Sequence, residues 1–186
     1  MTPEELEDEA ARPRPGPWPG AGRAERAHGR RLAAIHGMYR AELAAVARLM
    51  QAIRQGDSAP DALAPAVAGT QIARNFRQFG TACGRDCALL MNHHDIEEAW
   101  MFPPLEERGG DLLAPVMARL RAEHRVIHDL IEDLHKAAEE LVADPGGTTF
   151  DACATRFAAL DRAARSHFGY EETVLEEPLG ALRIPI

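Results

Sequence analysis

Apolar residues recur at intervals of three and four along four stretches of the chain, the period of an amphipathic helix. The first stretch runs from about Glu25 to Arg54, with Leu32, Ile35, Tyr39, Leu43, Val46, Met50 and Ile53 on one face. The second runs from about Thr70 to Glu107 and carries Ile72, Phe76, Phe79, Cys83, Cys87 and Leu90. Pro103–Pro104 should kink or end it, because proline lacks the N–H that a helix needs. The third starts near Asp111 and tolerates Pro115 in its first turn. Its stripe is Leu113, Met117, Leu120, Ile127, Ile131, Leu134 and Leu141. The fourth, from about Thr149 to Glu177, turns Phe150, Cys153, Phe157, Leu160 and Ala164 inward.

Breakers separate these stretches: QGDSAPDALAPAVAG, Gly109–Gly110 and ADPGGTT. A helix of about 25 residues is roughly 38 Å long, enough for one continuous core. Long helices with mostly short connections predict an all-α fold, an up-down-up-down four-helix bundle over residues 25–186. Residues 1–24 read as a disordered arm, since Pro13, Pro15, Pro17 and Pro19 alternate with Arg, Gly and Trp.

Composition agrees with the helical reading. Aromatic residues make up only 5% of the 186 positions, while alanine and leucine abound. A net charge of -8 and the absence of a basic patch argue against nucleic acid as a partner. No apolar leader and no run able to span a bilayer is present, so no membrane is expected. Three cysteines do not make a disulfide framework, and a reducing cytoplasm is the expected location. The eight histidines are the unusual feature.

Those histidines fall on the apolar stripes. In the second stretch the stripe continues to His93 or His94, then Glu97, then Met101. In the third it passes through His124 and His128, in the fourth through His167 and Glu171, and in the first through His36. A lone buried histidine has a bland explanation as a hydrogen-bonded core residue. An isolated buried carboxylate costs several kcal/mol, and here four stretches interrupt their core faces together. The pairs His93–Glu97, His124–His128 and His167–Glu171 each put two side chains on one helix face.

Five imidazoles and two carboxylates are too many for one ion, but two ions bridged by Glu97 and Glu171 would use them all. The donor set suits iron, manganese or zinc better than calcium. The zincin pattern HExxH fails, since Arg125 follows His124. The ferritin order, Glu before His by three, occurs only at Glu25–His28.

The stretches IHGMYRAEL, HHDIEEAWMFPPL, AEHRVIHDL and HFGYEETVLEEPL resemble the hemerythrin-like, or HHE cation-binding, proteins, and within them the actinobacterial type. The resemblance covers about residues 30–180. It implies a non-heme centre of two iron ions, oxo- or hydroxo-bridged. One iron would be held by His124, His128 and His167, the other by His36 and His93, with Glu97 and Glu171 as bridges. Oxygen-carrying hemerythrins place an aspartate five residues after the fourth-helix histidine, where this chain has Glu172. That departure argues against simple oxygen carriage.

Counting ligands leaves one position open on the second iron, as a reactive site requires. O₂, H₂O₂ or NO is the expected ligand, on a monomer or weak dimer. Three functions are compatible: an enzyme, with catalase-like peroxide disproportionation first and NO reduction next; a sensor or carrier; and a structural or iron-storage protein.

Several other polar and aromatic residues flank this ligand set. His94, Glu98 and Glu172 read as groups behind or outside the site, Asp95 and Asp129 as solvated, and His28 and His135 as surface histidines. Tyr39, three residues from His36, is the one candidate catalytic side chain: its phenol could serve bound peroxide or iron, with a packed aromatic as the plainer alternative. Cys83 and Cys87 read as small apolar groups. Met91, Trp100, Met101 and Phe102 are expected to shield the site.

Overall fold

The computed structural model describes residues 1–56, 93–144 and 146–186, and every described element is helical. Five α-helices are labelled here up to the last turn of the chain's middle: α1 (Pro3–Glu7), α2 (Arg23–Gly29), α3 (Arg31–Gln55), α4 (Phe102–Gly109) and α5 (Ala114–Ala143). The long α6 (Gly147–Ala181) follows. A π-helical turn, Glu97–Met101, leads into α4, and short 3₁₀ turns occupy Glu9–Ala11 and Gly110–Leu112. The predicted stretch from Thr70 to Asn92, with Cys83, Cys87 and Met91, lies outside the described residues. No described helix is long and apolar enough to cross a membrane.

The described chain falls into two compact units: Met1–Met38 with His94–Val126 and Ala163–Ile186, and Tyr39–His93 with Ile127–Arg162. The second unit is built on the predicted stripes. Leu43, Val46, Met50 and Ile53 of α3, Ile127, Ile131, Leu134 and Leu141 of α5, and Phe150, Cys153, Phe157 and Leu160 of α6 are all buried. Each such side chain removed from water stabilises the fold by about 1.5–3 kcal/mol.

In the first unit, Leu32, Met101, Phe102, Leu105, Leu113, Met117, Leu120, Val174, Leu175 and Leu179 form one apolar cluster. Two glycines let α2 and α6 meet backbone to backbone. A Cβ at Gly29 would lie 2.0 Å from the Glu176 carbonyl oxygen, and one at Gly180 would lie 2.0 Å from that of Glu25. The ion pairs Arg26–Glu177 and Arg30–Glu176 flank this contact.

The N-terminal arm consists of short helical turns joined by extended chain. Thr2 caps α1 through a capping box with Glu5. Leu6 is 0% exposed. The Trp18 backbone N–H donates to Glu177 at 2.8 Å, and its ring packs against the apolar cluster. The prolines do prevent a continuous helix, but an extended strap can still bury selected side chains, and here it does so.

Candidate metal centre

Pro103 and Pro104 shape the approach to the site. They open α4, where missing N–H groups are tolerated. Upstream, the Phe102 N–H reaches back five residues to the Glu97 carbonyl. The widened turn is a π-bulge, a feature common at functional sites. It buries Glu97, Met101 and Phe102 together, while Glu98 stays half-buried alongside.

Around Glu97 the first unit gathers imidazoles and carboxylates. His36, His94, His124, His167, Glu97 and Glu171 are all buried there. His124 Nε2 faces Glu97 Oε2 at 3.5 Å. Glu171 Oε2 lies 3.5 Å from His36 Nε2 and 3.6 Å from His167 Nε2. These distances exceed those of good hydrogen bonds. Neither oxygen of Glu171 has a hydrogen-bond partner among the described residues.

Burial pushes both carboxyls well above the ordinary 4.5. The charge of Glu98 adds to the rise at Glu97, and those of Glu97, Glu123 and Glu172 add to it at Glu171.

Two groups of donor atoms here lie within 4.8 Å of one another: Glu97 with His124 and Glu171, and His94 with His124 and His167. The buried Glu171 carboxylate, which faces imidazole nitrogens at more than hydrogen-bond distance, fits a cation. A metal ion would satisfy its oxygens, which have no hydrogen bond among the described residues, and this mixed nitrogen and oxygen set suits a transition metal.

The opposite edges of the rings are held by other carboxylates. His36 Nδ1 lies 2.9 Å from Glu172, His124 Nδ1 2.8 Å from Glu98, and His167 Nδ1 3.0 Å from Glu123. An ionised carboxylate only accepts, so each Nδ1 carries the hydrogen, and in the neutral ring Nε2 then keeps its lone pair. This carboxylate–histidine pairing is the usual support of a metal-binding imidazole. Phe168 stacks on His36 at 4.4 Å between ring centroids, and Phe102 lies against His124 at 5.5 Å.

Three features were not read from the sequence. Glu123 is wholly buried, the acceptor of His167 and of Arg12 and Arg119. Burial alone would raise its pKa, but the hydrogen bonds from His167 and Arg12 outweigh this and leave it lowered. The only available signal was its position directly before His124. His94 is not a surface group: it is 1% exposed and stacks on His124 at 3.9 Å, nearly parallel. Trp100, expected as a shield, is 76% exposed; the π-turn rotates it outward and leaves shielding to Met101 and Phe102.

The remaining candidates of the predicted site, Tyr39, His93 and His128, lie in the second unit. His93 is buried, and burial lowers its pKa to about 4. Its ring is tilted against that of Tyr39 at 5.4 Å. His128 is half-buried on α5, four residues after His124. Tyr170, in the first unit, donates its hydroxyl to the Pro13 carbonyl at 2.7 Å. His28 lies 2.7 Å from the Ile184 carbonyl, and His135 lies 3.2 Å from Glu139.

The hemerythrin HHE cation-binding domain matches residues 28–177 of this chain. The chain therefore belongs to that family, and its fold is the all-α, hemerythrin-like one. No curated protein and no solved structure matches it.

Proposed function

We propose that this is a non-heme di-iron protein whose buried centre binds or turns over a small oxidant, with peroxide disproportionation as the activity to seek first. One observation carries the reading: Oε2 of Glu171 faces both His36 and His167, and neither oxygen of this carboxylate has a hydrogen bond among the described residues. A carboxylate so placed is suited to bridge two cations.

In the proposed ligand set, His124 and His167 hold one ion and His36 belongs to the other, with Glu97 and Glu171 between them. His128, one turn after His124, and His93, one turn before Glu97, join the set on helical spacing alone. Bound iron would supply redox chemistry toward peroxide, O₂ or NO. The protein's own part is to hold each ring with Nε2 inward, through Glu98, Glu123 and Glu172, and to exclude bulk water with Phe102 and Phe168. A centre buried to this degree favours small ligands over sugars or peptides. The up-down-up-down arrangement of four helices belongs to the same proposal.

The test is the metal content of protein produced with iron, with its visible spectrum and oxygen evolution on adding peroxide. Two irons per chain with oxygen evolution supports the enzyme. Two irons with a stable adduct and no turnover supports a sensor or carrier instead. One zinc, or no metal, overturns the di-iron reading.

A further inference from the structure

The N-terminal strap ends on the metal centre's supporting shell. Arg12 is 4% exposed. Its guanidinium forks onto Glu123, with Nε 2.9 Å from one oxygen and Nη2 3.1 Å from the other. Nη1 donates to Ser166, the residue before His167, at 2.9 Å, and also to Glu9. The cation sits 4.8 Å from the centroid of the Tyr170 ring, whose hydroxyl donates to Pro13. Arg119 adds a second link: it holds Glu123 through Nε at 2.7 Å and donates to the Glu5 and Leu6 carbonyls of the strap.

We propose that Arg12 is a positioning residue: by fixing Glu123 it holds the His167 imidazole with Nδ1 protonated and Nε2 directed at Glu171. The geometry gives the reason. Arg12 and Arg119 occupy the carboxylate oxygens of Glu123 from one side, which sets its plane. His167 Nδ1 then meets an oxygen that can only accept. A planar, bidentate fork imposes that orientation in a way that a point charge does not. The role of the imidazole as a metal ligand rests on the proposed function, but its tautomer does not.

The experiment uses full-length protein labelled with ¹⁵N-histidine. In the metal-free state, two-bond ¹H–¹⁵N spectra should show wild-type His167 as the Nδ1–H tautomer. Arg12→Ala should lose that single tautomer, and Arg12→Lys, which keeps the charge without the fork, should fall between. Arg14→Ala, which removes an exposed pairing with Glu9, should leave His167 unchanged. After iron loading, a chelator should strip Arg12→Ala roughly tenfold faster than wild type.

A purely structural Arg12 would lower thermal stability but leave the tautomer and the stripping rate at wild-type values, and that result overturns the proposal. If Arg12→Ala does not fold, Arg12→Lys decides in the same way. A wild-type protein that takes up no metal, yet shows the tautomer change in Arg12→Ala, would refute the di-iron reading and leave the strap's role standing.

Discussion

Glu172 lies 2.9 Å from Nδ1 of His36, while Nε2 of the same ring faces Glu171 at 3.5 Å. Two consecutive glutamates thus address the two nitrogens of one imidazole. The stretch HHDIEE repeats the device, with Glu97 facing Nε2 of His124 and Glu98 at its Nδ1. The second glutamate of each pair orients a ring for the first.

Glu98→Ala and Glu172→Ala should therefore keep the fold and still bind metal, with affinity reduced roughly 10–100-fold. Competition against a chelator of known affinity measures this. Wild-type affinity in both variants would refute the orienting role.

In the proposed ligand set, Glu171 sets metal binding against stability of the metal-free protein. Its buried oxygens have no hydrogen bond among the described residues, a deficit of about 1–3 kcal/mol for a buried polar group. Glu171→Met should raise the stability of the metal-free protein by about that much, read by urea denaturation, and abolish the bridged centre, read by metal analysis. A variant that keeps both metals would remove Glu171 from the ligand set.

The pH response should reverse on metal loading. Burial raises Glu97 and Glu171 above the ordinary 4.5, so the folded metal-free protein holds protons that the unfolded chain has released. The stability these groups contribute is complete below about pH 4.5 and declines as pH rises through their folded values. His93, lowered from 6.5 to about 4, acts in the other direction: its contribution is present above pH 6.5 and is lost as pH falls toward 4. Above pH 6.5, where the His93 contribution is complete, metal-free Tm should fall as pH rises through the folded values of the two carboxyls, while metal affinity should rise as protons leave the ligands. Thermal scans and metal titrations over that range test both slopes. A metal-free Tm that climbs would contradict the raised carboxyls.

The contact between α2 and α6 has no room for a methyl group. Gly180→Ala would place Cβ 2.0 Å from the Glu25 carbonyl oxygen, against backbone that cannot swing aside. A loss of about 1–3 kcal/mol or more is expected, visible as a lower denaturation midpoint. By contrast, Gly37→Ala meets nothing within 4 Å and should be tolerated.

Within the described residues, the sequence by itself determined the long helices, their buried stripes and the inward placing of His36, Glu97, His124, His167 and Glu171. Helical spacing is local, so residues three or four apart share a face wherever the helix goes. The π-turn was only half legible: Pro103 and Pro104 announce a break, but not that the turn would widen and leave Trp100 outward. Tertiary structure alone decided which carboxylate meets which ring, since Glu98 and His124 are 26 residues apart, Glu123 and His167 are 44 apart, and His36 and Glu172 are 136 apart. Such pairings depend on the rotation and axial register of one helix against another, which packing sets. The strap followed the same rule: its prolines forbid a helix locally, but the burial of Leu6 and the pairing of Arg12 with the buried Glu123 carboxylate depend on long-range packing.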